Sequence, residues 1–160
     1  MQRQLSSQAQ AAQEIRKELK QAFPGIKFRV RSSGFTMGDS VDVDWTDGPT
    51  RDQVNDLIGH YQYGHFNGME DIYEYSNNRS DIPQTKFLMV DRTISEGVYL
   101  ECFEYIKKHF TNCDHLTDVH KYDPRLMEYW HMWSPATLIN RYLCKFDLRN
   151  GVDVEQIFKS

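Results

Sequence analysis

The sequence predicts an α+β fold: an antiparallel four-stranded sheet with helices on one face, in the order αββαββα, followed by a C-terminal helical extension. Two observations lead to this fold class. Segments of helical periodicity alternate with strand-like segments that occur in adjacent pairs joined by short loops, which favours antiparallel pairing. The last roughly fifty residues carry helix-start signals and no further pair of strands.

Length and composition favour one main domain in a reducing compartment. A chain of 160 residues with 39% hydrophobic residues can bury its own core without a metal or a disulfide. We find no apolar run long enough for a membrane span and no apolar signal core at the N-terminus, so we expect a cytoplasmic protein. The three cysteines, Cys102, Cys113 and Cys144, are far apart, which does not indicate a disulfide framework.

The first element is a helix that follows a flexible N-terminus, residues 1–10. Ala11, Ile15, Leu19 and Ala22 recur at helical spacing and share one face. The Pro24-Gly25 pair ends this helix.

Two strands follow, and their outer faces carry opposite charge. Residues 26–31 and 41–45 alternate between apolar and charged side chains, and residues 32–40 between them are predicted to form a hairpin loop. If the strands pair, the basic and acidic outer faces neutralise each other. The alternative is that the acidic residues face outward and meet a basic partner.

The next elements are a helix, two strands and a third helix. Thr50 and Gln53 form a capping-box pattern that begins the second helix. Residues 71–75 and 86–92 are predicted strands, and Ser95 begins the third helix.

The C-terminal part is predicted to be helical. Asp123-Pro124 and Ser134-Pro135 are typical helix starts, which predicts helices over about 124–132 and 135–146. We therefore expect an α+β domain at 11–112 and a helical extension at 113–160. The apolar residues of the extension pack on the same domain or on a second copy of the chain, so a homodimer is one option and the oligomeric state stays open.

The charge is unevenly distributed along the chain. Residues 1–31 contain seven Lys or Arg and two Glu, a net charge of +5, whereas residues 39–82 contain two Arg and ten Asp or Glu, a net charge of −8. Tyr and His residues are concentrated in the same acidic region, which favours a protein-binding surface. The predicted partner-binding residues are Asp42, Asp44, Asp47, Tyr63, His65, Glu70, Asp71, Glu74 and Tyr75.

Two other functions compete with protein binding. The basic N-terminal region suits phosphate contacts, and its candidate nucleic-acid-binding residues are Arg16, Lys17, Lys20, Lys27, Arg29 and Arg31. The donors His109, Cys113, His115 and His120 lie within twelve residues and are weak candidates for a metal site, although their spacing matches no standard zinc motif. We find no catalytic constellation and expect no cofactor.

Three segments carry a resemblance to a known family: F-P-G-I-K-F-R-V, D-V-D-W-T-D-G-P-T and Y-Q-Y-G-H-F-N-G-M-E-D-I-Y-E. Over about residues 15–92 the chain resembles the large polyvalent protein associated domain 29. This resemblance implies a protein of a phage, plasmid or integrative element that works in the cytoplasm of a bacterial host. It supplies no catalytic residues. It therefore implies an accessory protein that acts by binding, with a host defence factor, such as a restriction or CRISPR component, as a possible target.

Overall fold

The computed structural model describes residues 3–159, except for the side chain of Tyr129. The chain forms two compact units. The first, here called the sheet unit, contains residues 3–45 and 51–92, and the second, the helical unit, contains residues 46–50 and 93–159. Met1 and Gln2 of the predicted flexible N-terminus lie outside the described residues.

The sheet unit begins with a helix and a hairpin. Its elements in order are α1 (Ser7–Ala22), β1 (Arg29–Phe35), β2 (Gly38–Thr46), α2 (Arg51–Ile58), a 3-10 turn (Gly59–Tyr61), β3 (His65–Asn67), β4 (Ile72–Glu74) and β5 (Phe87–Thr93).

The strands form two sheets, so the predicted four-stranded antiparallel sheet is wrong. One sheet is mixed and has the order β1-β2-β5, with β1 antiparallel to β2. The other contains only the antiparallel pair β3 and β4. The prediction failed because the partner of β4 is a three-residue strand between Gly64 and Gly68, too short to show an alternating pattern. With β4 paired to this strand, β5 is free to join β2.

The first two strands are longer than predicted. The expected loop over residues 32–40 is wrong, because β1 continues to Phe35 and β2 starts at Gly38. Ser33 lies opposite Ser40, and their hydroxyl oxygens are 2.9 Å apart. A segment rich in glycine and serine is typical of a loop, so the sequence does not indicate the strand pair that the cross-strand contacts stabilise here.

One face of the mixed sheet builds the core of the sheet unit. Val41, Val43 and Trp45 of β2 are buried together with the apolar residues of α1 and α2. The predicted apolar face of α1 is largely confirmed, since Ala11, Ile15 and Leu19 are all buried, whereas Ala22 is exposed. The alternate residues of each strand point to the opposite, outer face.

The helical unit contains α3 (Glu96–His109), α4 (Pro124–Trp130), α5 (Pro135–Leu143) and α6 (Val154–Lys159). Both proline helix starts are confirmed. The Asp123 carboxylate accepts a hydrogen bond from the Arg125 backbone N–H, and Ser134 forms a capping box with Thr137. The apolar residues of α4 and α5 share a core with α3 and α6.

Residues 46–50 belong to the helical unit because of the hydrogen bonds around Asp47. The Asp47 backbone N–H donates to the Thr93 carbonyl at 2.7 Å, and its Oδ1 accepts from the backbone N–H of Ser95, at the start of α3, at 2.8 Å. The Gly48 carbonyl accepts from the Leu148 N–H at 2.8 Å. Asp47, a predicted partner-binding residue, thus uses its carboxylate inside the helical unit.

We expect Asp47→Ala to lower the free energy of unfolding by about 1–2 kcal/mol, because it leaves the Ser95 N–H without its acceptor. Asp47→Asn is the matched control. It keeps an acceptor oxygen and tolerates the left-handed backbone at this position, where φ is 54°. Urea denaturation of the full chain measures both variants. Equal stability of Asp47→Ala and the wild type would contradict this role.

Candidate protein-binding surface

The β3–β4 hairpin requires glycine at position 64. His65 lies opposite Glu74, Phe66 opposite Tyr73 and Asn67 opposite Ile72. A Cβ atom on Gly64 would overlap the Glu74 carbonyl oxygen and the Tyr73 ring. The close approach of the chain before β3 to the end of β4 therefore depends on this glycine.

Polar side chains tie the two short strands together. His65 Nδ1 is 2.9 Å from Ser76 Oγ, and its Nε2 is 3.3 Å from a Glu74 carboxylate oxygen. The other Glu74 oxygen accepts a hydrogen bond of 2.6 Å from the Asn67 side chain. The structure thus places two predicted partner-binding residues, His65 and Glu74, next to each other, and they use part of their hydrogen-bonding capacity within the hairpin.

A tyrosine cluster supports the hairpin. The rings of Tyr63 and Tyr75 are parallel, with centroids 5.5 Å apart. Tyr73 meets both rings edge-on, at 5.9 Å and 5.3 Å. Burial is the main reason that the pKa of Tyr73 is raised to about 12, so this hydroxyl stays protonated at neutral pH. Tyr75 is the outer member of the cluster and is 63% exposed.

Lys86 connects the cluster to the turn between β1 and β2. Its ammonium nitrogen lies 5.0 Å from the Tyr73 ring centroid and 5.5 Å from that of Phe87. The same nitrogen donates a hydrogen bond of 2.9 Å to the Met37 carbonyl. Cation–π contacts and this hydrogen bond hold the hairpin in a fixed position relative to the mixed sheet.

The hairpin exposes apolar side chains beside carboxylates. Phe66 is 58%, Met69 98% and Ile72 49% exposed, and Glu70 and Asp71 are exposed in the turn between the strands. Aromatic residues and methionine are enriched in protein interfaces, and clustered exposed apolar residues mark such sites. These exposed residues and their neighbours on the hairpin are called the hairpin surface below, which consists of Phe66, Met69, Glu70, Asp71, Ile72, Glu74 and Tyr75.

Sequence reasoning missed the apolar part of this surface. The sequence predicts a strand over residues 71–75 that includes Ile72, and it gives no prediction that Met69 or Ile72 is exposed to solvent. A usable signal was present, because Met69 is an apolar residue in a turn bounded by Gly68 and acidic residues, where polar residues are expected.

Asp42 and Asp44 lie outside the hairpin, on the outer face of the mixed sheet. Arg29 is opposite Asp44 and Arg31 is opposite Asp42. The Arg31 guanidinium is 3.4 Å from an Asp44 oxygen, which confirms charge neutralisation between the two strands at this pair. Both side chains are well exposed, so the pair adds little to stability.

Some of the candidate nucleic-acid-binding residues contact other residues of the protein, and the others are exposed to solvent without such a contact. Arg16 donates to the Val30 carbonyl at 2.7 Å, and Lys17 is 3.1 Å from Glu14. Arg31 is the partner of Asp44. The other members of the set are exposed and have no ion pair among the described residues: Lys20, Lys27 and Arg29.

The weak metal candidates do not converge on one point. Cys113 is buried, and burial raises the pKa of its thiol, which disfavours the thiolate that zinc requires. Within residues 3–159, no group of three or more potential ligands is arranged to hold a metal ion. The histidines have separate neighbours: His109 packs on Tyr105, His115 is 3.0 Å from Asp123, and His120 is 2.8 Å from Glu96.

The fold and this surface define a small α+β protein with a preorganised, exposed hairpin. Residues 6–99 match the family model of the large polyvalent protein associated domain 29, which is more than half of the chain, so the protein belongs to this family. The match covers all of the sheet unit except residues 3–5, and it ends within α3. It confirms the resemblance and associates the protein with phages and mobile elements.

Other comparisons add no relative. No curated protein and no solved structure matches the chain. Among residues 3–159, none of the helices has the length and apolar character needed to cross a membrane.

We expect Gly64→Ala to displace the hairpin and to lower the free energy of unfolding by about 1–3 kcal/mol, because the added methyl group has no space. Gly68→Ala is the matched control, since a Cβ there meets nothing within 4 Å, and we expect a change of less than about 0.5 kcal/mol. Near-ultraviolet circular dichroism of the tyrosines and urea denaturation measure the effect. Equal behaviour of the two variants would contradict the close-packing argument.

Stability at acid pH should depend on Asp123. Burial opposes its ionisation, but hydrogen bonds from the Arg125 backbone N–H and from His115 outweigh burial and hold the pKa of Asp123 below its ordinary value. The ionised carboxylate therefore stabilises the folded protein above about pH 4, and this contribution is lost as the pH falls through the folded-state pKa.

Asp123→Asn tests this dependence, because asparagine keeps one acceptor oxygen for the Arg125 N–H and does not titrate. We expect the wild type to exceed the variant in stability at pH 7, and the difference to shrink below about pH 4. Urea denaturation across this range measures it, and a difference that does not change with pH would contradict the assignment.

Proposed function

We propose that the protein is a small accessory protein of a phage or other mobile element, that it works in the cytoplasm of a bacterial host, and that it binds another protein through the hairpin surface. The observation that carries this proposal is the exposure of Phe66, Met69 and Ile72 on a hairpin whose position is fixed by the tyrosine cluster and Lys86. A rigid surface loses little conformational entropy when it binds. Membership of the polyvalent-protein family supports the setting.

Charge favours a protein partner over a nucleic acid at this surface. Glu70 and Asp71 flank the apolar residues and repel phosphate groups. Among the six candidate nucleic-acid-binding residues, Lys20, Lys27 and Arg29 are exposed and have no ion pair and no side-chain hydrogen bond among the described residues. Direct nucleic-acid binding is therefore the second candidate, carried by those three side chains.

The partner that fits the hairpin surface has a basic rim around an apolar pocket. Carboxylates at the rim steer such a partner into place, while the apolar side chains provide most of the binding energy. Nucleic-acid-binding proteins of host defence, such as restriction or CRISPR components, carry basic clefts of this kind. Occupation of such a cleft by the hairpin would block access of the element's DNA.

Affinity capture from a bacterial lysate with matched variants tests the proposal. We expect Tyr75→Ala and Glu70→Gln to lose a partner that the wild type retains, with an affinity loss of about tenfold for Tyr75→Ala. Tyr122→Ala and Glu101→Gln are the controls, because Tyr122 is 52% exposed and both residues lie in the helical unit. The controls should capture the same partner as the wild type.

Capture of the same proteins by all four variants would contradict binding through the hairpin surface. Affinity that does not fall between low and moderate salt would count against the electrostatic part of the proposal. A gel shift that disappears in a Lys20→Ala, Lys27→Ala, Arg29→Ala triple variant would support the nucleic-acid alternative instead. Restriction of incoming DNA in cells with and without the protein tests the defence target separately.

A further inference from the structure

The sheet unit contains a groove that the hairpin surface does not use. Its volume is about 510 Å³, which lies within the range of side-chain and small-ligand pockets. Strand residues and residues of α2 line it together. Its charged lining residues are Arg31, Asp42, Asp44, Arg51 and Asp91, and Asn55 and Met89 also line it.

The groove has unpaired negative charge. Arg31 reaches diagonally to Asp44 at 3.4 Å, although its direct cross-strand neighbour is Asp42. This leaves Asp42 and Asp91 without an ion pair or a side-chain hydrogen bond among residues 3–159. With Arg51 as the remaining cation, the groove carries three carboxylates and two guanidinium groups, a net charge of −1. A ligand with one positive charge complements it.

The groove also has an apolar side and hydrogen-bond donors. Met89 is 60% exposed, and its thioether side chain adapts to the aliphatic part of a long side chain. Arg51 and Asn55 of α2 can donate to the backbone carbonyls of a bound segment. Carboxylates, an apolar contact and amide or guanidinium donors together suit an arginine side chain with its peptide backbone.

We propose that this groove binds an arginine side chain of a partner protein. Asp42 and Asp91 accept hydrogen bonds from the guanidinium, whose planar set of donors can engage more than one carboxylate, whereas lysine offers a single compact ammonium. Met89 packs against the aliphatic stem. This inference rests on the proposed protein-binding function and adds the chemistry that the partner presents beside the hairpin surface.

Methyl NMR of the full chain with N-acetyl-arginine amide tests the groove. The protein has six methionines, so Met89→Leu assigns the Met89 methyl signal by its disappearance. We expect a saturable shift of this signal with the arginine compound and none with N-acetyl-citrulline amide, which has a similar shape but no charge. Asp42→Asn and Asp91→Asn should each weaken binding about tenfold.

Asp56→Asn is the matched control, because Asp56 is an exposed carboxylate of α2 that does not line the groove. Its binding of the arginine compound should equal that of the wild type. Unchanged signals of the other methionines in Asp42→Asn and Asp91→Asn verify that these variants are folded.

Three results would overturn the arginine pocket: no shift of the Met89 signal, an equal shift with the citrulline compound, or equal binding by folded Asp42→Asn and Asp91→Asn. The two proposals fail separately. If the arginine compound does not bind in the groove, but Tyr75→Ala and Glu70→Gln still lose the captured partner, only the arginine pocket is rejected. If Tyr75→Ala and Glu70→Gln capture the same partner as the wild type, the proposed function of the hairpin surface is rejected.

Discussion

The Asp39 carboxylate is the interaction on which the sheet unit depends. One of its oxygens accepts hydrogen bonds of 2.8 Å from both the Thr85 hydroxyl and the Lys86 backbone N–H. Thr85 is fully buried, and its backbone also bonds to Tyr61 and Tyr63. The start of β2 and the start of β5 are therefore joined through a single carboxylate. Removal of that acceptor would leave the Lys86 N–H unsatisfied and the Thr85 hydroxyl with only the more distant Phe87 carbonyl, at 3.4 Å.

The candidate surface follows from this junction. With the Lys86 backbone fixed by Asp39, its side chain is directed over the Tyr73 ring, and the Lys86 carbonyl accepts a hydrogen bond from the Tyr73 hydroxyl. Tyr73 then supports Tyr75 and, through the β-ladder, Phe66. A chain of short-range contacts thus runs from a buried carboxylate to the exposed hairpin, which explains how a pair of three-residue strands keeps one position.

The sequence was informative where local chemistry decides the structure. The apolar spacing of Ile15 and Leu19, and the proline starts at Pro124 and Pro135, predicted helices because each signal lies within one or two turns. The role of Asp39 could not be predicted, because its partners are 46 and 47 residues away and its own segment resembles a polar loop. The pairing of β3 with β4 failed for a related reason, since strands of three residues carry almost no periodic signal.

Contacts between residues far apart in the sequence also change how the acidic region, residues 39–82, is interpreted. Asp39 and Glu74 hold the sheet unit together, Asp47 stabilises the helical unit, and Asp44 forms an ion pair with Arg31. These four of the ten carboxylates over residues 39–82 therefore make contacts within the fold, and on the hairpin surface Glu70 and Asp71 remain for a partner. A surface with few free charges and several exposed apolar groups should derive its affinity mainly from apolar burial, with charge contributing to orientation and association rate.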